Sequence, residues 1–237
     1  MKKILLNYFS LIITVVIAVT LTACKQSDSK EGNNVSFLDI ICGCEEVVAP
    51  VKVVLVPLDG MKESQMQKLK EDFEGNYIRI FDSVCETEIL DNVSTPDSCL
   101  NKKYNRFEAG KMISFLTNEY SALAKNKAKN SNGYYIIGVT DKDISTALHE
   151  KENYGILGLS YLGGKVSVIS TYRLPRKKDL WKLALHEYGH GYFSLPHCDE
   201  DEATCIMADA KGGNPHYEFK EAFCKACFDK AMKNSKF

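Results

Sequence analysis

The chain has 237 residues, a formal net charge of -1 and hydrophobic residues at 45% of its positions. Near-neutrality without a long basic run excludes a nucleic-acid partner held by charge, and no internal repeat points to a solenoid. Nine cysteines and only five histidines make either residue informative wherever it clusters.

The chain opens with Lys2-Lys3, an apolar run from Ile4 to Val19 and then Leu21-Thr-Ala-Cys24. This is the pattern of an export signal. Its ending resembles the bacterial lipobox, in which small residues precede a cysteine that is lipidated and becomes the mature N-terminus. That resemblance implies a signal peptide over residues 1–23, a lipid on Cys24 and a place in the bacterial cell envelope as a membrane-anchored lipoprotein. The alternative is an uncleaved spanning helix, since the run is nearly long enough to cross a bilayer. Residues 24–49 are polar at first and lack an apolar period, as a flexible tether would. Residues 50–237 suffice for one domain with a sizeable core.

Val51 to Leu58 is Val-rich and alternates little, as a buried strand does, and Met61 to Phe73 follows with helical spacing through Met66, Leu69 and Phe73. A short strand is expected at Tyr77 to Phe81, completing a strand-helix-strand unit with parallel pairing. Asp82 to Tyr104 reads as irregular. A helix is predicted from Phe107 to Lys125, with Met112, Ile113, Leu116, Tyr120 and Leu123 on its apolar side, and then a strand over Tyr134 to Val139. Asp141 and Asp143 fit a solvated turn or a cap better than a cation site. Gly155 to Leu162 and Lys165 to Ser170 are strand-like runs separated by Gly163-Gly164, a two-residue hairpin signal.

The next helix should start near Asp179 as its cap. Trp181, Leu185, Tyr188 and Tyr192 form one stripe, and Leu183, His186, Glu187 and His190 form another. The first packs; the second carries chemistry. His186 and His190 are four residues apart, so both imidazoles leave one helix face and reach a single ion, with Glu187 beside it as base. A catalytic zinc takes three protein ligands and keeps a position open. His197, beyond Gly191 and Pro196, is the leading candidate for the third. Cys198, Cys205, Cys224 and Cys227 then form two close pairs, suited to a closed tetrahedral zinc or to two disulfides.

His-Glu-x-x-His, a third His followed at once by Cys, then Cys-x-Met and Cys-x-x-Cys together resemble the archaemetzincins, a branch of the metzincin zinc peptidases. Val54–Gly60, Tyr104-Asn-Arg106, Ile137–Asp143 and Val168–Leu174 are similar to other recurrent segments of that family, in the same order. The resemblance implies an α/β (α+β) fold of the metzincin-like zincin type. That fold has a mixed twisted sheet, an active-site helix and, at the C-terminal end, a small part in which four cysteines bind zinc. It also implies that Met207 is the methionine of the turn beneath the zinc, and that the antiparallel edge strand starting at Gly155 pairs with an extended substrate. An ordinary covered hairpin is the competing reading of that strand. One departure stands out. Where the family pattern places a glycine and then the third histidine, this chain has Phe193 and Pro196, with His197 one residue late. The bend then falls to Gly191 or to a widened last turn.

The reaction expected is hydrolysis of peptide bonds, in which zinc lowers the pKa of its water to about 7 and Glu187 takes the proton and returns it to the leaving amine. The expected ions are two zincs per chain, one catalytic and one structural. The expected partners are a peptide or protein substrate and a membrane reached through the lipid, with the chain a monomer. Cys42, Cys44, Cys85 and Cys99 are left to oxidise, in any of three pairings. Two other classes remain open. One is a catalytically weak, zinc-stabilised surface binding lipoprotein, favoured by the late His197. The other is a thiol-redox lipoprotein using Cys224 and Cys227, disfavoured because that pair is far from the first strand-helix unit.

Overall fold

The computed structural model describes residues 50–148, 151–198, 203–210 and 216–235. The expected signal peptide, Cys24, the tether, Cys42 and Cys44 lie outside the described residues. Among the described residues no helix is long and apolar enough to cross a membrane.

Strand β1 (Val51–Pro57) is an interior strand, apolar on both faces from Val53 onward. Val53 and Leu55 enter one hydrophobic cluster and Val54 and Val56 another, the two-residue alternation of a strand covered on both sides. Helix α1 (Glu63–Phe81) returns the chain to β2 (Cys85–Ile89), which pairs parallel to β1. The strand-helix-strand unit is therefore present, but its second strand is not at Tyr77 to Phe81. Phe73, Tyr77 and Phe81 recur every fourth residue and continue the buried stripe of Met66 and Leu69, so the helix runs on to a left-handed C-cap at Asp82. Burying Phe73 alone contributes about 1.5–3 kcal/mol.

After β3 (Leu100–Asn101) and β4 (Arg106–Glu108), helix α2 (Ala109–Lys127) packs Met112, Ile113 and Leu116 on the opposite face of the sheet. Phe107, expected to open that helix, sits in β4, and Leu123 is 38% exposed. Strand β5 (Tyr134–Thr140) forms where a strand is expected over Tyr134 to Val139, and it pairs parallel to β1. Strands β6 (Ile144–Leu148) and β7 (Lys151–Ile156) join β3 and β4 in a second sheet of four strands. Strands β8 (Gly158–Ser160) and β9 (Val166–Ser170) complete the main sheet in the order β2-β1-β5-β9-β8, parallel throughout except for β8 at the edge. The fold is mixed α/β, with α1 and α3 (Leu180–Gly191) on one face of the main sheet and α2 on the other.

The run from Gly155 to Leu162 is not one strand. Gly155 and Ile156 belong to β7 and pair with β6, the chain bends at Leu157, and only Gly158–Ser160 pairs with β9. The β8–β9 connection is also longer than a two-residue hairpin. Gly164 N–H donates to the Tyr161 carbonyl at 2.8 Å with Gly163 at φ +71°, as a type II turn requires of its third residue. Cys85 and Cys99 are unbridged and buried in different clusters, on opposite faces of the main sheet, so they do not pair with each other. Asp179 occupies the N-cap position of α3 without capping it. Its carboxylate accepts from Arg176 Nε at 2.6 Å and stands 3.5 Å from Lys182 Nζ.

Asp143 likewise is not a solvated turn residue. It accepts from Arg106 Nε at 2.7 Å on β4 and from Arg173 Nε and Nη2 at 2.6 and 2.7 Å beyond β9, which ties the second sheet to the end of the first. Burial opposes ionisation of Asp143, but Arg173 and then Arg106 outweigh it and hold the carboxyl below its usual range. A depressed folded pKa contributes stability that is fully present above roughly pH 4 and is lost as pH falls through the folded value. Asp143→Asn should lower stability at pH 7 by about 1–3 kcal/mol and remove this acid dependence. Urea unfolding of both proteins between pH 7 and pH 3 reads both effects, and equal stability at pH 7 would refute the assignment.

Candidate metal centre

Helix α3 lies between the sheet edge and the C-terminal segment, and its two stripes separate as their spacing predicts. Leu185 and Tyr188 are fully buried, with the Tyr188 ring 5.0 Å from Tyr135, 5.8 Å from Phe73 and 5.9 Å from Tyr77. Leu183, His186, Glu187 and His190 line a cleft of about 1170 Å³, together with His197, Leu157 to Ser160 and Tyr217.

His186 Nδ1 lies 2.7 Å from the Ile206 carbonyl and His190 Nδ1 lies 2.6 Å from the Leu195 carbonyl. A carbonyl only accepts, so both Nδ1 atoms carry hydrogens and both Nε2 atoms present lone pairs. Those two Nε2 atoms face each other at 3.1 Å. Two lone pairs at that distance repel unless a cation lies between them. Zinc, with tetrahedral bonds to nitrogen, would hold such atoms about 3.3 Å apart, so the pair fits the ion. Burial holds the imidazolium forms down, His186 well below its usual value and His190 to about 4, which keeps both rings in the neutral, ligating form.

His197 joins them despite its late position. Its ring centroid is 5.4 Å from that of His186 and 4.7 Å from that of His190, and the three residues bring ligand atoms within 4.8 Å of one another. Its Nδ1 stands 3.7 Å from Asp209 Oδ2. The extra residue is absorbed by a widened turn and not by Gly191. Ser194 adopts φ +55°, and Leu195 N–H donates to the carbonyl of Gly189, six residues back, one more than in the usual left-handed helix stop. Gly191 has a different use. A Cβ there would lie 2.2 Å from the Tyr135 hydroxyl, which donates to the Glu187 carbonyl at 3.0 Å and sits 2.8 Å from Ser160 Oγ.

Glu187 is 5% exposed, and among the described residues nothing hydrogen-bonds to its carboxylate. Burial pushes its carboxyl up to about 8. It rests on Gly158, where a Cβ would come within 2.5 Å of Oε1. Met207 lies beneath the helix against Gly189, where a Cβ would meet its Sδ at 2.5 Å. A polarizable, apolar floor results.

The second group stands beside the first. Cys198, Cys205, Cys224 and Cys227 bring their sulfurs within 4.8 Å of one another. Cys198 Sγ is 3.7 Å from Cys224 Sγ, too far for a disulfide at about 2.05 Å and close to the sulfur separation of about 3.8 Å in a tetrahedral zinc site. Backbone N–H groups of Cys224 and Cys227 point at Cys205 Sγ and Cys224 Sγ, at 3.3 and 3.5 Å. Burial pushes the Cys205 thiol up to about 11, so a metal is what makes four ionised sulfurs tenable here.

The chain is similar to known archaemetzincins. An archaemetzincin of Haloquadratum walsbyi is 28% identical over 190 residues, 74% of this chain and 96% of the relative. An archaemetzincin of Natronomonas pharaonis is 31% identical over 138 residues, 52% of this chain and 69% of the relative. The chain belongs to the archaemetzincin family. No protein-family model matches it. The crystal structure of archaemetzincin from Methanopyrus kandleri has the same fold, with a TM-score of 0.61 at 20% identity over 79% of this chain and 97% of that one. With His197 in place, the spacing that favoured a weakly active binding module no longer separates this archaemetzincin from a three-histidine site.

Three contributors to the site escaped the sequence reading. Gly158 shapes the position of Glu187, and a glycine inside a strand was the available signal, since it marks close approach. Tyr135 ties α3 to β5 and β8, and Arg173 reaches the cleft from beyond β9. Gly158→Ala should displace the Glu187 carboxylate while sparing the fold, because the atoms it meets end a flexible side chain. Peptide hydrolysis is expected to fall by about 10²-fold or more, with metal content and thermal midpoint near those of the parent. Parental hydrolysis rates would show that Gly158 does not set the carboxylate.

Proposed function

We propose that this chain is a zinc-dependent peptidase that hydrolyses peptide bonds, with His186, His190 and His197 holding the catalytic zinc and Glu187 as general base. One observation carries the reading. Two imidazole lone pairs face each other at 3.1 Å, each fixed by a carbonyl on its far nitrogen, next to a carboxylate kept without a partner among the described residues. When bound, zinc supplies Lewis acidity and brings the pKa of water toward about 7.

The remaining work belongs to the chain. Glu187 accepts the proton of the attacking water and passes it to the leaving amine, so no side-chain nucleophile is needed. Edge strand β8 offers backbone groups along the cleft to an extended peptide, which binds by strand addition with little reading of its sequence. Cys198, Cys205, Cys224 and Cys227 hold a second, structural zinc, giving two ions per chain, and Met207 forms the floor. The protein is a monomer tethered by a lipid on Cys24 in the bacterial cell envelope. Support for the anchor is the sequence Lys2-Lys3, the apolar run and Leu21-Thr-Ala-Cys24.

Glu187→Ala should reduce cleavage of a mixed peptide library by about 10²–10⁴-fold with both zinc ions retained. Cys224→Ser should leave one zinc per chain. Elemental analysis run beside the cleavage assay reads both, and hydrolysis that survives in Glu187→Ala would remove the carboxylate from the mechanism.

A further inference from the structure

The cleft continues past the metal ligands to a basic group that hydrolysis itself does not use. Arg173 lines it beside Thr146, Tyr154 and Gly155. Its Nε and Nη2 grip Asp143 at 2.6 and 2.7 Å, and Arg106 shares the same carboxylate at 2.7 Å. Two guanidinium groups on one carboxylate leave a net charge of about +1. Arg106 spends a further donor on the Asn153 carbonyl at 3.2 Å, whereas Nη1 of Arg173 donates to none of the described residues. The Arg173 side chain is 35% exposed.

Its orientation is fixed by a bare glycine. A Cβ on Gly155 would fall 2.5 Å from Cζ, 2.7 Å from Nη2 and 2.8 Å from Nε, so the guanidinium lies flat on the backbone of β7 at the cleft wall. The carboxylates among the described cleft residues are Glu187 and Asp209, and neither bonds to Arg173.

Strand polarity sets which part of a substrate arrives there. A peptide added antiparallel to β8 runs from the Ser160 end toward the Gly158 end, and Gly158 is the residue against Glu187. Beyond that point the peptide passes toward Leu157 and Gly155 with its C-terminal half. Gly155 precedes Gly158 by three residues, at most about 10 Å along a chain that bends at Leu157 between β7 and β8. We propose that Arg173 is an anion subsite on the leaving side of the cleft, selecting peptides that carry a carboxylate two or three residues beyond the scissile bond. This rests on the peptidase reading above. The carboxylate comes from an Asp or Glu side chain or from the C-terminus of a short peptide, since a planar fork receives both alike.

Binding tests it without turnover. Zinc-loaded Glu187→Gln would be titrated with N-acetylated Ala/Leu hexapeptides carrying Glu or Gln at the third residue beyond the central bond, each with a free or an amidated C-terminus. Peptides with a carboxylate should bind about tenfold tighter, less so at high salt, and the preference should vanish when Arg173→Gln is added. Preference for Glu identifies a side-chain source, and preference for the free acid a terminal one. Arg106→Gln weakens the same Asp143 cluster but keeps Arg173, so it should retain the discrimination that a purely structural role would lose. Equal affinity for all four peptides, or none for any, overturns the proposal. Hydrolysis of the four by the parent protein reports separately: cleavage without preference defeats only the subsite, and preferential binding with no cleavage by the parent defeats only the peptidase reading.

Discussion

Helix α3 can sit where it does because its neighbours meet no side chain at three places. Gly189 admits Met207, Gly191 admits the Tyr135 hydroxyl, and Gly158 on the facing strand admits the Glu187 carboxylate, each at a distance that even a methyl group would violate. Two glycines within a helix cost about 1 kcal/mol apiece relative to alanine. What they secure is position: the Met207 and Tyr135 side chains pack directly on the helix backbone, and the imidazoles leave it at fixed height above the methionine. A helix pushed out by a methyl group at Gly189 or Gly191 would carry both histidines and the carboxylate with it, and catalytic geometry tolerates little such movement.

The end of that helix solves a separate problem. A third ligand one residue late must be recovered by the turn, and the turn lengthens to recover it. Ser194 takes the left-handed conformation without being glycine, at a strain of about 1 kcal/mol. Its successor offsets this with two bonds: Leu195 N–H closes on the Gly189 carbonyl, and the Leu195 carbonyl fixes the His190 ring. Phe193, standing where a tight exit would need a glycine, points inward and is fully buried against Phe81, Tyr188 and Phe223. The apolar anchor thus replaces backbone freedom in defining the bend.

Local signals were legible in the sequence and long-range ones were not. His186, Glu187 and His190 could be placed because helical spacing alone puts them together, and Val51 to Leu58 could be read because burial on both faces leaves a continuous apolar run. Tyr77 to Phe81 misled because five residues rich in β-formers fit a strand as well as the last turns of a helix, and only the register inherited from Met66 and Leu69 distinguishes them. Asp143 reads as a turn residue until Arg106 and Arg173, each at least 30 residues away, are seen to converge on it. Gly155 and Gly158 look alike in sequence; one faces an arginine and the other a glutamate, and nothing local tells them apart.

The sulfur cluster and the histidine cluster are mechanically one object, because four consecutive residues serve both. Cys205 contributes a sulfur, the Ile206 carbonyl holds His186, Met207 underlies the helix while its carbonyl accepts Cys198 N–H at 2.9 Å, and the Ala208 carbonyl accepts Lys220 Nζ at 2.6 Å. Cys198 is also the immediate neighbour of His197. Lys220 is 2% exposed, and burial lowers its pKa against the opposing pull of Cys205, Asp209 and Cys198. Its ammonium is thus buried within electrostatic reach of two of the four cysteines and of Asp209. No helix or strand spans this segment, and these bonds are joined by the Ile206 N–H to the Ala222 carbonyl at 2.8 Å and by the burial of Ile206 and Met207. The four sulfurs and the three histidines thus share one stretch of backbone, and the bonds that place one group also place the other.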